Sequence, residues 1–362
     1  MPTTSAPAAA ALLPPNYVWR SYLGGERLRR FRGQPDSLDD HFPEDWLAST
    51  VKARNGNNSQ GPVEGLSRVT SADGERLVAE ALEEAPDFWF GRRNYRHRNA
   101  AGTGVLWKLL DSSVRLQLQA HPDAQFASQH LNSPAGKTEC WYVLDTRGDA
   151  CVYLGFQRPP TREQWARMIQ DQDVDEMLNS FAPIPVRSGD CFVVPAGTPH
   201  AIGAGVFMME LQEPTDWVVR CERANAGLVL PPEACFMGLS LEQCLDVFDY
   251  SSCSLENVRE RFQQDPKKVR NSAACRHEEI IGPDWHNFFR LERLRGKGNF
   301  GWPGEELMLL VALEGSGALM AGDCELEVRA GQTWLLPGAV TKWKWAAECN
   351  WEFLLAKLPT TT

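Results

Sequence analysis

The sequence predicts a mainly β protein made of two β units with a helical segment between them. Short apolar runs interrupted by Gly, Pro and Asp dominate residues 17–230 and 276–362, a spacing typical of a sandwich or barrel. Residues 231–275 instead show helical periodicity and capping patterns. With 362 residues, the chain is long enough for two ordinary domains. We call residues 17–230 the first β unit and residues 276–362 the second.

The composition is that of a globular protein without a long basic or apolar run. Hydrophobic residues make up 43% and charged residues 23%, and the formal net charge is −10. These values argue against nucleic acid and anionic membranes as partners, but a local pocket can still bind a small anionic substrate. No apolar run approaches the roughly 20 residues that a membrane-spanning helix needs.

The cysteines and the N-terminus indicate a cytoplasmic protein. The 10 cysteines form no Cys-x-x-Cys pair, and in a chain of this size they are interpreted as reduced, mostly buried thiols. Residues 1–16 are rich in Ala, Pro, Ser and Thr. We interpret them as a disordered tail, because their short apolar run has no positive region before it and does not fit a signal peptide.

Helices are predicted at four places. The first fits about residues 72–85, and the second runs over 161–181 from a capping box of Thr161 and Gln164. In the segment between the units, one helix follows Ser240 and another follows Ser254. A basic cluster between the first two helices is interpreted as a solvated loop rather than a phosphate site; its members are Arg92, Arg93, Arg96, His97 and Arg98.

A weak internal repeat relates the two β units. Residues 189–195 and 331–337 each combine a Gly turn, a buried strand and a final Pro. Counting on from each Pro, His200 in the first copy corresponds to Lys342 in the second. The second copy also lacks a Glu–His pair, so only the first β unit is predicted to bind a metal.

Three segments of the first β unit supply side chains that suit a divalent metal. Gln119 and His121 lie two residues apart, so on a strand both side chains reach the same face. Glu139 opens an apolar run typical of a strand, and His200 follows a Pro-Ala-Gly-Thr-Pro turn. Two imidazoles, a carboxylate and an amide without thiolate suit Zn²⁺, and Mn²⁺, Co²⁺, Ni²⁺ and Fe²⁺ are also compatible.

These segments resemble the motifs of class I mannose-6-phosphate isomerases, which are zinc enzymes built on cupin jelly rolls. The family patterns Gln-x-His-Pro-Asp, Gly-Lys-x-Glu and Pro-x-Gly-x-x-His-Ala occur here in order, at 119–123, 136–139 and 195–201. Further similarity follows at 106–111 and 210–220. The resemblance implies two cupin jelly-roll units, of which the first binds metal and carries helical insertions and the second is degenerate.

The resemblance also implies the roles of the site residues. The four side chains named above carry over as metal ligands, and Lys137, Asp216 and Arg220 carry over as active-site residues. Lys137 lies two residues before Glu139 and would share its strand face as a base, a proton relay or an oxygen clamp. Asp216 would relay a proton during ring opening, and Arg220 would stabilise an enediolate or a phosphate.

The activity implied is the interconversion of mannose 6-phosphate and fructose 6-phosphate through a cis-enediol, with a small sugar phosphate as the partner. One departure bears on the substrate, because the family commonly has Ser two residues before the ligand Gln and this chain has Gln117. An isomerase of a non-phosphorylated sugar is therefore an alternative. A cupin dioxygenase with Fe²⁺ on nearly the same ligands is another. A sugar sensor without catalysis is a third, but the three active-site residues argue against it.

Overall fold

The computed structural model describes residues 10–71, 74–91, 102–272 and 274–360. It confirms the predicted mainly β architecture of two units. The basic cluster at 92–98 lies outside the described residues. No helix in the described ranges is long and apolar enough to cross a membrane.

Twenty-six strands, nine α-helices and three short 3₁₀ helices (Gly56–Asn58, Leu245–Val247 and Pro283–Trp285) make up the regular structure of the described ranges. In chain order, the strands up to residue 230 are β1 (Ala11–Leu12), β2 (Tyr17–Val18), β3 (Glu44–Leu47), β4 (Arg68–Ser71), β5 (Gly74–Leu77), β6 (Leu106–Asp111), β7 (Gln119–Ala120), β8 (Glu139–Thr146), β9 (Cys151–Leu154), β10 (Ile184–Pro185), β11 (Cys191–Val194), β12 (His200–Ile202), β13 (Val206–Gln212), β14 (Val219–Arg220), β15 (Ala224–Asn225) and β16 (Leu228–Val229). The later strands are β17 (Lys267–Asn271), β18 (Cys275–Glu279), β19 (Arg290–Lys297), β20 (Phe300–Pro303), β21 (Met308–Glu314), β22 (Ser316–Ala321), β23 (Cys324–Arg329), β24 (Thr333–Leu336), β25 (Lys342–Ala346) and β26 (Asn350–Lys357). The helices are α1 (Glu26–Phe31), α2 (Val78–Glu84), α3 (Pro86–Phe90), α4 (Ala124–His130), α5 (Arg162–Asp171), α6 (Val174–Asn179), α7 (Pro232–Cys235), α8 (Leu241–Cys244) and α9 (Leu255–Phe262).

The first β unit is a sandwich of two antiparallel sheets. One sheet has six strands in the order β11-β8-β13-β6-β3-β2, and the other has five in the order β10-β9-β12-β7-β14. Apolar side chains from both sheets, among them Trp141 and Phe192 from the first and Val152 and Leu154 from the second, form one buried cluster. The candidate site lies between the same two sheets.

The second β unit repeats the sandwich but fills its interior with aromatic side chains. Its sheets have the orders β1-β24-β21-β26-β19-β18-β17 and β20-β25-β22-β23. Trp343, Trp345, Trp351 and Phe353 are buried between them. Lys342, at the position that corresponds to His200, is exposed. The interior of the second unit is therefore an apolar core, in contrast to the polar cavity of the first.

Both edge strands of the large sheet, β1 and β17, come from residues outside those predicted for the second unit. The prediction of a disordered tail over 1–16 is wrong for residues 10–16, because Ala11 and Leu12 pair with Leu335 and Trp334 of β24. Burial of Ala11 against the core explains why this apolar run is ordered. The predicted helical segment also ends early, because β17 already belongs to the large sheet.

Two of the predicted helices differ in extent. The helix predicted over 161–181 is interrupted at Gln172, which adopts a left-handed conformation with φ 54°, and Asp173 caps a new helix. This separates α5 from α6. The helix predicted at 72–85 is a strand followed by a helix, β5 and α2. Capping by Ser240 is confirmed, since its side chain accepts from the Gln243 amide.

A half-buried ion-pair cluster in the second unit makes the stability of the protein depend on pH in the acid range. Glu292 contacts His277 at 2.9 Å and Lys357 at 2.6 Å. Burial would raise the pKa of Glu292, but these two partners outweigh it and lower the pKa from 4.5 to about 2. Because the folded-state pKa is depressed, the stabilisation is present above pH 4.5 and is lost as the pH falls to about 2.

We expect Glu292→Gln to lower the free energy of unfolding at pH 7 by about 3 kcal/mol and to remove this part of its dependence on pH. Urea denaturation at pH 7 and at pH 3 measures both effects. The exposed Glu327, paired with Arg329 on the surface, provides the control Glu327→Gln, for which a change under about 1 kcal/mol is expected. An unchanged pH dependence in Glu292→Gln would contradict the prediction.

Candidate metal centre and active site

Backbone contacts bring the three motif segments together. The Lys137 amide donates to the Pro122 carbonyl at 2.9 Å, and the Gly197 amide donates to the His121 carbonyl at 2.8 Å. Gly136 packs so closely on this segment that a Cβ would lie 2.7 Å from the Ala124 nitrogen. Only glycine permits that approach. The glycines of the motifs therefore hold the segments at the distance that the side chains need.

The two sheets supply the site residues from opposite sides. In the five-stranded sheet, Gln119 of β7 lies between His200 of β12 and Arg220 of β14, directly paired with both. His121 follows β7 by one residue. Glu139 begins β8 in the six-stranded sheet. The predicted alternation thus places Gln119 and His121 toward a carboxylate on the facing sheet.

The four predicted ligands converge in the buried interior. His121 Nε2 lies 2.9 Å from Glu139 Oε1, and His200 Nε2 lies 3.6 Å from Glu139 Oε2. The ligand atoms of these three residues all lie within 4.8 Å of one another. The Gln119 amide nitrogen is 3.2 Å from His200 Nε2, and rotation of the amide would present its oxygen there instead.

The backbone fixes which imidazole nitrogen faces the carboxylate. Nδ1 of His121 contacts the Trp217 carbonyl at 2.9 Å, and Nδ1 of His200 contacts the Thr198 carbonyl at 2.8 Å. A carbonyl only accepts, so each Nδ1 carries the proton and each Nε2 presents a lone pair toward Glu139. His121 Nε2 is buried without a hydrogen-bond partner. Lone pairs directed at a carboxylate suit a divalent cation placed between them.

Burial sets the protonation states that metal binding requires. It lowers the pKa of His121 to about 3 and also lowers the pKa of His200. Burial alone would raise the pKa of Glu139, but His121 and Lys137 outweigh it and hold that pKa well below its usual range. At neutral pH the site therefore offers neutral imidazoles and an ionised carboxylate, the forms that bind a metal.

The three predicted active-site residues line the same cavity as Gln119 and Glu139. Lys137 is buried, with Nζ 3.1 Å from Glu139 Oε1. Asp216 is buried and accepts from Arg20 at 3.3 Å and from the Arg54 backbone amide at 2.8 Å. Arg220 is half-buried, and its Nη1 donates to the Ala234 carbonyl at 3.2 Å.

A set of buried charges in the wall of the cavity was missed by sequence reasoning. Lys108 Nζ lies 3.0 Å from Glu210 and 3.7 Å from Glu44, and Arg20 Nε lies 2.9 Å from Glu44. Burial and the neighbouring Glu139 raise the pKa of Glu210 well above its usual range. The available signal was a lysine inside the apolar strand Leu106–Asp111, because lysine is rarely buried unless it is paired.

Gln117, where the sequence departs from the family pattern, also lines the cavity. Its side chain is buried, and its Oε1 accepts from Ser21 Oγ at 3.2 Å. Its Nε2 is buried and has no hydrogen-bond partner among the described residues. The inner cavity thus holds an amide donor that is free to bind an oxygen.

Comparison with known proteins agrees with the site geometry. The chain is 28% identical over 256 residues to GmuF, a probable mannose-6-phosphate isomerase of Bacillus subtilis (strain 168), covering 70% of this chain and 74% of the relative. It is 29% identical over 251 residues to the mannose-6-phosphate isomerase ManA of the same organism, covering 68% and 73%. No protein-family model matches the chain.

Solved structures share the fold. The mannose 6-phosphate isomerase from Bacillus subtilis superimposes with a TM-score of 0.73 at 20% identity, covering 96% of this chain and 99% of that one. A putative mannosephosphate isomerase from Archaeoglobus fulgidus gives a TM-score of 0.72 at 17% identity, covering 97% and 98%. The double jelly-roll fold expected from the motifs is confirmed. The resemblance to mannose-6-phosphate isomerases is confirmed by the curated relatives.

Proposed function

We propose that this protein is a metal-dependent aldose–ketose isomerase that interconverts mannose 6-phosphate and fructose 6-phosphate through a cis-enediol. The proposal depends above all on two buried imidazoles whose Nε2 lone pairs face Glu139. Glu139 in turn lines a cavity together with Lys137, Asp216 and Arg220. The names of the curated relatives favour isomerisation over oxygenation. We place the enzyme in the cytoplasm, where sugar phosphates and reduced thiols are both expected.

The proposed metal is Zn²⁺, held by Gln119, His121, Glu139 and His200. When bound there, it would polarise the oxygens of the substrate carbonyl and the neighbouring hydroxyl as a Lewis acid. The donor set fits this ion, because imidazole nitrogens and carboxylate or amide oxygens are ligands that Zn²⁺ accepts. The backbone carbonyls behind both imidazoles orient the rings and keep Nε2 unprotonated.

The chain's own residues would move the protons. Lys137 is placed to accept a proton from a carbon, to relay it, or to bind a substrate oxygen, because its Nζ lies next to the carboxylate of the proposed ligand Glu139. Burial alone would raise the pKa of Asp216, but the positive charges of Arg20 and Lys137 outweigh this effect and lower the pKa below its usual value. Asp216 is therefore a carboxylate at neutral pH. It can therefore accept the hydroxyl proton released in ring opening.

Arg220 would stabilise the negative charge that develops on the enediolate. It is paired with Gln119 across β7 and β14, and this places its backbone next to a ligand. A guanidinium is always charged and matches oxyanions with two parallel hydrogen bonds. Such a donor contributes most in a site from which water is excluded.

A second candidate is isomerisation of a non-phosphorylated sugar. It is favoured by Gln117, a residue that lines the cavity and whose amide nitrogen has no partner among the described residues and could bind a sugar hydroxyl. This alternative uses the same metal and the same proton transfers, and it differs only in what the enzyme binds beyond the reacting carbons.

Assays of the purified protein on mannose 6-phosphate, fructose 6-phosphate, free mannose and free fructose test the proposal. We expect turnover of the phosphorylated pair and a loss on the order of 10³-fold after removal of the metal by a chelator, restored by Zn²⁺. Turnover of the free sugars alone would favour the second candidate. Oxygen uptake with Fe²⁺, without isomerisation, would contradict both.

A further inference from the structure

We call the cavity lined by Gln117, Lys137 and Glu139 the inner cavity. A second space adjoins it and opens toward solvent. It has a volume of about 440 Å³ and lies between the loop that carries Arg54 and the segment that carries Ala234. A neighbouring space of about 390 Å³ shares both of these residues. Arg220 lines these two spaces and the inner cavity alike. We call the two outer spaces together the outer cleft.

Two arginines of the outer cleft differ from the other cationic side chains around the site. Among the described residues, Arg54 and Arg220 form no salt bridge, whereas Arg20 and Lys108 each contact carboxylates. The Arg54 guanidinium lies over the Trp217 ring, 3.4 Å from its centroid. Both guanidiniums therefore keep donors that a ligand could use.

The nearby carboxylates do not neutralise these arginines. Asp216 is already bound by the Arg20 side chain and by the Arg54 backbone amide. Glu233 also lines the outer cleft, but it is exposed and makes no salt bridge with the described residues. The cleft thus has two unpaired cations and one solvated carboxylate.

The Arg54 loop is held in place by the wall of the inner cavity. Asn55 Oδ1 accepts from Arg20 Nη1 at 2.9 Å, and Asn55 Nδ2 donates to Glu64 at 2.9 Å. The Arg54 backbone amide bonds Asp216. These contacts fix the loop backbone without using the Arg54 guanidinium, so that side chain is presented by a rigid support.

We propose that Arg54 and Arg220 form the subsite for the phosphate group of the substrate. This inference rests on the proposed isomerase function and adds to it the residues that recognise the phosphomonoester. A hexose phosphate carries its reacting carbons and its phosphate at opposite ends, which matches an inner cavity joined to a cationic outer cleft. Arginine binds phosphate through two parallel hydrogen bonds.

The same arrangement accounts for Gln117. That residue lies beside Ser21 in the wall of the inner cavity, and neither Arg54 nor Ala234 lines that space. A phosphate held in the outer cleft does not need a hydroxyl at position 117. The departure from the family pattern would then affect recognition of the sugar hydroxyls and leave phosphate binding intact.

The variant Arg54→Ala tests the subsite, because it removes the guanidinium and keeps the backbone amide that bonds Asp216. Its matched control is Lys52→Ala, which removes an exposed cation from the same segment. Lys52 shares a neighbouring space with Arg54, but it does not line the outer cleft. Two measurements are made on the holoenzyme. One is kcat/KM for mannose 6-phosphate relative to free mannose, and the other is the dissociation constant of inorganic phosphate from calorimetric titration.

We expect Arg54→Ala to lower the preference for mannose 6-phosphate about 10-fold, through KM, and to weaken phosphate binding by a similar factor. Lys52→Ala should change either quantity less than about 2-fold. Equal preference and equal phosphate affinity in Arg54→Ala and the wild type would overturn the proposal, as would equal losses in both variants. If the wild type isomerises no sugar, the proposed function fails, and the phosphate titration still decides the subsite.

Discussion

Replacing His121 with alanine is expected to leave the protein without its catalytic metal and to lower kcat by on the order of 10³-fold, as removal of the metal by a chelator does. The imidazole contributes a neutral nitrogen at the centre of the ligand set, 2.9 Å from Glu139. Alanine removes that donor and leaves a cavity that water can enter. His200→Ala is expected to behave in the same way, because its Nε2 faces the other oxygen of the same carboxylate.

Metal content measured by plasma mass spectrometry, beside steady-state kinetics, checks this result. His130→Ala is the control, since His130 is exposed at the end of α4 and packs on Phe126. We expect the wild type and the control to carry a single metal per chain, because the interior of the second unit is filled by tryptophans. Full occupancy in both His121→Ala and His200→Ala would show that the ligand set is wrong.

The sequence was sufficient for those parts of the site that depend on strand alternation and motif order. Gln119 and His121 were expected on one strand face, and Lys137 was expected beside Glu139, where its Nζ lies at 3.1 Å. Both expectations use the two-residue period of a strand, which any extended backbone imposes. Which side chain lies opposite a given residue across the sandwich depends instead on how the two sheets pack.

The parts that could not be predicted depend on contacts between distant segments. Arg20 lies 196 residues from Asp216, its partner across the cavity, and no local pattern relates the two. The strand formed by Ala11 and Leu12 exists because β24 offers it a free edge at the far end of the chain. Gln172 ended a helix that periodicity alone would have continued. In each case tertiary packing determined the result.

The second large effect is expected from Lys137→Met, which should lower kcat by about 10²–10⁴-fold while the metal stays bound. Methionine keeps the length of the side chain and removes the group that can take or hold a proton. The loss should affect kcat, because the Lys137 Nζ lies next to the Glu139 carboxylate in the inner cavity and does not line the outer cleft. Lys342→Met, at the exposed equivalent of position 200 in the second unit, serves as the control and should leave kcat unchanged.

Arg220→Ala separates the two roles that its position allows. Stabilisation of the enediolate alone would lower kcat by on the order of 10²-fold and leave KM nearly constant. Arg220 lines both the inner cavity and the outer cleft. We therefore expect kcat to fall in Arg220→Ala and KM to rise by a larger factor for mannose 6-phosphate than for the free sugar. Steady-state kinetics on both sugars, with metal content measured in the same preparations, gives the answer. Wild-type kcat and KM in both Lys137→Met and Arg220→Ala, with the metal retained, would mean that these residues only support the fold and that proton transfer uses other groups.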